Sequence, residues 1–238
     1  MAYDNVLRIK AFCEIDYHQY IDQRRLNIKA AIERRGKEYI LGVDENEFKT
    51  YLFEEYSFEP LVIDSNSAEV GEPTISKETM ESRFYSERYN VDVYTFTVYY
   101  RFTGSAELFN VKPTTWRMDS TEIFVNQTRN TVSFSFKLYK RDPEAFNDAK
   151  NSLYSSAFSN VTNINNDIKN WNNGLEGTIN SIFNAQKTKY QEENNFFAAI
   201  NVKINKDTSS IFTSPTVKKR IIPQPTVAKK KNFLQNLQ

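Results

Sequence analysis

The chain of 238 residues holds one histidine, His18, and one cysteine, Cys13. Those two counts bound its chemistry. A Ser-His-acid or Cys-His arrangement would have to be built on His18. That residue lies between Tyr17 and Gln19 in a helical stretch, where a hydrogen-bonded surface or core imidazole is the simpler reading. One His and one Cys cannot assemble a zinc site of ordinary nitrogen and sulfur ligands within one chain. No G-x-S-x-G elbow occurs, and with six glycines in all there is no Gly-rich loop to cradle phosphate. Carboxylates remain. Magnesium-dependent nucleases place an Asp and a Glu-x-Lys on neighbouring strands. Asp92 stands at a strand start, but Glu122-Ile123-Phe124 lacks the lysine, and Glu59, Asp64 and Glu69 read as a solvated acidic surface. The expectation is a chain with no catalytic, cofactor-binding or metal-binding residues, and hence not an enzyme. Cys13, near Phe12 and Ile15, reads as a small buried hydrophobe.

The elements around these residues follow from apolar period. Residues 14–35 space Ile15, Ile21, Ile28 and Ile32 helically and contain no Gly or Pro, and Gly36 ends the run. "EYILGV" (38–43) is expected as a short strand. Asp44, with Glu47 three residues on, starts a helix over 45–56, and a strand follows Pro60 at 61–63. Residues 64–88 are polar and turn-rich and are expected as a long surface loop with short structured pieces. From 91 to 102 the period becomes two, and "TEIFV" and "TVSFSFKLY" around "NQTRN" predict a hairpin over 122–139.

Asp142-Pro143-Glu144 announces the next helix, because Asp caps, Pro suits the first helical position and an early Glu complements the dipole. Ala157, Val161, Ile164, Ile168, Trp171 and Leu175 then recur at spacings of 4, 3, 4, 3 and 4, while Asn and Ser fill the other face. Such a narrow stripe requires a neighbour. Asn172-Asn173-Gly174 are poor interior helix residues, so the expectation is a helical hairpin turning there, with a single bent helix as the alternative. "NNFFAAINVKI" (194–204) should dock on the body.

The expected fold class is α+β: an N-terminal helix, a central antiparallel sheet with its hairpin at 122–139, a long C-terminal helical hairpin, and a basic Pro-containing tail. As domains this gives an α+β domain at 1–142, a helical arm at 143–204 packing on it, and a linker or tail at 205–238.

Net charge conceals an asymmetry. From residue 203 onward eight Lys/Arg face Asp207 alone, so a +7 tail follows a −6 body. Lys218, Lys219, Arg220, Lys229, Lys230 and Lys231 could grip phosphates, independently of base sequence and sensitively to salt. A solubilising tail is the plainer reading. The candidate protein-contact residues are Ile164, Ile168 and Trp171 on the stripe, with Trp116 and Arg117 in "VKPTTWRMD", a pair that suits an interface hot spot or, for the Trp, a core anchor. No apolar run reaches the roughly 18 residues that span a bilayer, and "MAYDNVLRIKAF" has no signal-peptide core. A cytoplasmic location without membrane contact is expected.

Two segments carry a family likeness. "DENEFKTYLFEEYSFEPLVID" looks like an acidic helix leading to a Pro-Leu-x-Ile-Asp strand. "INNDIKNWNNGLEGTINSIFNAQKTKY", with "NNFFAAINVKI" and the basic, Pro-containing stretch after it, looks like the arm that follows. Together they resemble the N-terminal regions of multidomain bacterial proteins in which a restriction-endonuclease-like or TIR-type effector comes next, over most of residues 38–225. The resemblance implies a role in antiphage defence as a sensor or assembly module that couples to a protein effector, with a homo-oligomer as a further option. The sequence given stops at Gln238, where the resemblance would place the effector, so a fragment or a stand-alone homologue is expected and no active-site residue carries over. The rival reading is a nucleic-acid-binding protein using the basic tail. A weaker one is a structural assembly protein.

Overall fold

The computed structural model describes residues 6–81, 88–118 and 121–200. The basic tail, with all six candidate phosphate contacts, lies outside the described residues. The chain is mixed α+β and separates into two compact units. Of the described residues, the first unit takes 6–22 and 58–171, and the second takes 23–57 and 172–200.

The first unit is built on an antiparallel sheet in the order β1–β7–β8–β5–β3, with β4 also paired to β5. Its strands are β1 (Val6–Lys10), β3 (Val62–Val70), β4 (Thr74–Glu81), β5 (Arg88–Thr103), β7 (Glu122–Asn126) and β8 (Thr131–Leu138). β5 is long enough to serve both. Its second half pairs with β3 and its first half with β4, while β8 runs along its other edge from Tyr94 to Arg101. The predicted hairpin is β7–β8, closed by Asn126, whose side chain accepts from the Arg129 N–H at 3.0 Å.

β3 and β4 occupy the stretch expected as a loop. Both are largely exposed on their two faces, so they carry no apolar alternation, and pairing to β5 is what makes them strands. Where β5 ends, Gly104 adopts φ +101°, and a Cβ there would fall 2.1 Å from the Pro60 carbonyl oxygen, so only glycine fits. Two further short strands, β2 (Ile15–Asp16) and β6 (Val111–Lys112), pair in parallel. They take up Ile15, so the first helix, α1 (Tyr17–Glu33), begins later than its sequence pattern.

One face of the sheet is covered by α4 (Pro143–Ala157), which Asp142 caps by accepting from the Glu144 and Ala145 N–H groups. Phe146 meets Phe96 and Phe136 at 5.1 and 5.3 Å between ring centroids, and Tyr154 meets Tyr100 at 4.9 Å. The opposite face carries Thr97, Ser135 and the half-exposed Tyr99, with Thr97 and Ser135 sharing a hydrogen bond.

In the second unit, "EYILGV" is helical, correcting the expected strand: α2 spans Lys37–Gly42, with Tyr39 and Ile40 buried side by side. A short apolar run does not distinguish strand from helix. Here Gly36, at φ +78°, redirects the chain and its carbonyl accepts from the Ile40 N–H. α3 (Glu45–Tyr56) matches its expected limits, with Asp44 accepting from the Asn46 and Glu47 N–H groups. Phe48 sits at the centre of this unit, fully buried, with the rings of Tyr39 and Phe183 at 5.5 and 6.1 Å.

The last helix, α5, runs unbroken over Val161–Ala199, which overturns the helical hairpin at Asn172–Gly174. The interruption falls earlier, at residues 158–160. Phe158 turns into the sheet core, 6.3 Å from the Phe134 ring, and α5 starts anew. Beyond Trp171 the buried positions are Leu175, Ile179, Phe183 and Gln186, so one face stays covered while Asn173 and Gly174 face water. Continuous burial of that face outweighs the roughly 1 kcal/mol that Gly174 costs in a helix interior. Of residues 194–204, expected to dock on the body, Phe196 and Ile200 stand exposed, while the Phe197 ring lies 5.9 Å from the Lys37 ammonium.

Candidate interaction site

The first turns of α5 hold the loop at 113–118 by its backbone. Asn160, just before the helix, is buried and brackets Arg117: its Oδ1 accepts from the Arg117 N–H at 2.9 Å and its Nδ2 donates to the Arg117 carbonyl at 3.0 Å. One heptad on, buried Asp167 accepts from both the Thr114 N–H and the Thr114 hydroxyl, each at 2.7 Å. The Tyr17 hydroxyl donates to the Asp167 backbone carbonyl at 2.9 Å. Asn165 brackets Leu61 as Asn160 brackets Arg117, accepting from its N–H at 2.9 Å and donating to its carbonyl at 2.8 Å.

These polar side chains do structural work beside the apolar stripe, on the part of the helix where Asn and Ser are expected only to fill the other face. The signal was present: Asn160 and Asp167 are seven residues apart and ride beside Ile164, Ile168 and Trp171. Residue type alone hid it, because Asn and Asp are exposed in most helices. Inside the fold each one replaces water for a loop backbone that has no strand partner.

Ile164, Ile168 and Trp171 are themselves core residues, at 0, 1 and 5% exposure, and offer no surface to a second chain. Trp116 and Arg117 divide in role. The Trp116 indole is half-buried beneath Lys112, whose ammonium lies 4.5 Å from the ring centroid. Its Nε1 is buried. The Arg117 side chain is exposed, and Met118 beside it is 85% exposed. The loop is therefore fixed in backbone and anchored by one ring, while a guanidinium and a thioether point outward.

The residues weighed for catalysis are dispersed. His18 is exposed, its backbone N–H bonded to the Asp16 carboxylate. Glu122 pairs with Arg8 at 2.8 Å and Glu69 with Arg101 at 3.4 Å. Asp64 accepts from the Asn66 N–H, and Asp92 lies opposite Lys77. Cys13 is half-buried near Trp116; burial first, then the Glu14 charge, push its thiol above the ordinary range. Among the described residues no helix is long and apolar enough to cross a membrane.

Comparison with protein-family models, with curated proteins and with solved structures finds no match to this chain.

Proposed function

We propose that this chain is a cytosolic, non-catalytic interaction module that couples a trigger to a protein effector in bacterial antiphage defence. The observation that carries the contact half of this reading is the 113–118 loop. Its backbone is held at Thr114 and Arg117 by buried acceptors, yet Arg117 and Met118 extend into solvent. A preorganised backbone lowers the entropy lost on docking. Arg is enriched at interface hot spots, and Met supplies an adaptable apolar contact. The effector class, nuclease or TIR type, is supported by the resemblance of residues 38–225 to regions that precede such domains.

The test is co-purification with an effector encoded beside or after this chain. The double variant Arg117→Glu, Met118→Ala removes the exposed groups and keeps the backbone bonds to Asn160. It is expected to lower effector capture about tenfold with an unchanged melting temperature. Undiminished capture overturns the reading.

A further inference from the structure

The second unit contains a cleft of about 400 Å³ between α3 and the end of α1. The two helices run antiparallel. The Tyr56 hydroxyl donates to the Asn27 carbonyl at 3.2 Å, and just past the end of α1 the Arg35 guanidinium lies 5.9 Å from the centre of the Phe48 ring. Tyr51, Glu55 and Tyr56 line one side of the cleft, and Arg34 and Arg35 the other.

The charges in this unit are unevenly satisfied. Lys37 pairs with Glu193, Lys49 and Lys187 share Glu45, and Lys29 pairs with Glu33. Arg34 and Arg35 form no ion pair with a carboxylate among the described residues, and both face the same cleft. Arg35 is further held against two rings, 5.4 Å from the centre of Tyr39 and 5.9 Å from Phe48. Ring faces fix a guanidinium plane and leave its N–H edge free to donate. Guanidinium groups with open edges match the oxygens of a phosphate.

Two further features narrow the occupant. Tyr51 stacks on Phe48 with an interplanar angle of 14° and is half-buried, so it offers a planar apolar wall. Glu55 stands exposed on the same lining, where it would repel a bare anion but accept hydrogen bonds from hydroxyl or amino groups. A ligand that meets all three demands carries a phosphate, an aromatic ring and hydrogen-bond donors, and the volume suits one of modest size. We propose that this cleft binds a nucleoside monophosphate, with Arg34 and Arg35 on the phosphate, Tyr51 against the base and Glu55 accepting from ribose or base. The proposal stands independently of the 113–118 loop.

The experiment is isothermal titration of the full chain with adenosine 5′-monophosphate, adenosine and inorganic phosphate in turn. The monophosphate is expected to bind at least about tenfold more tightly than either fragment. Arg34 is exposed, so Arg34→Gln should fold normally. It is expected to lose about tenfold in monophosphate affinity with an unchanged melting temperature, and Tyr51→Leu should weaken monophosphate and adenosine alike. Three results would each overturn the proposal: no binding of the monophosphate at about millimolar concentration, phosphate binding as tightly as the monophosphate, or full affinity in Arg34→Gln.

Discussion

The side-chain amide of Asn165 makes the same pair of bonds to Leu61 that a neighbouring β-strand would make, taking the Leu61 N–H at 2.9 Å and reaching its carbonyl at 2.8 Å. Leu61 is buried just before β3, and none of the described strands pairs with it. A buried N–H and C=O left without partners would each cost more than an ordinary hydrogen bond returns. Asn160 does the same for Arg117, so the polar face of α5 works as an edge that accepts loops.

Removing the Asn165 amide should therefore hurt more than its half-exposed position implies. Asn165→Ala is expected to cost about 2 kcal/mol, roughly 4–8 °C in melting temperature. Asn166→Ala, one residue on and exposed, should be near neutral. Equal melting temperatures for the two variants would show that the Leu61 bonds contribute little.

Gly174 discriminates a continuous α5 from a turned one. It lies in a helix, and a Cβ added there would meet nothing within 4 Å. Gly174→Ala is expected to stabilise by about 1 kcal/mol through helix propensity. Were the chain to reverse at Asn172–Gly174 through a left-handed glycine, the same change would destabilise. The sign of the shift in thermal unfolding decides between them.

Glu45 links stability to pH. The hydrogen bond from Lys187, with help from Lys49 and against the opposing effect of burial, holds its carboxyl below the ordinary value of 4.5. A carboxyl depressed on folding adds stability that is fully present above its unfolded pKa and is lost as pH falls through the folded one. With 36% of the side chain exposed, salt and water screen much of it. The melting-temperature gap between the natural chain and Glu45→Gln should be largest near about pH 7 and shrink below about pH 4. A gap that is constant with pH would contradict the ion pairing.

The sequence was most informative where one residue type has one strong local use. Asp44 and Asp142 cap their helices as expected, and the alternation of Phe134 and Phe136 places β8. It was least informative where tertiary partners decide. β3 and β4 owe their form to β5, and α2 to the burial of Tyr39 and Ile40. The stripe from Ile164 to Trp171 was legible as a buried face, but its neighbours proved to lie in this chain, so residues weighed as interface became core. Of the candidate contacts only Arg117 is fully displayed, and Met118 beside it was not anticipated.

The most direct measurement of the proposed role is site-specific photo-crosslinking in cells. A photoreactive amino acid replaces Met118, and a control probe replaces the exposed Thr128 in the β7–β8 turn. The account predicts that position 118 captures one protein with a nuclease or TIR-type domain and that position 128 does not. No adduct at 118, or the same adducts at both positions, would contradict it.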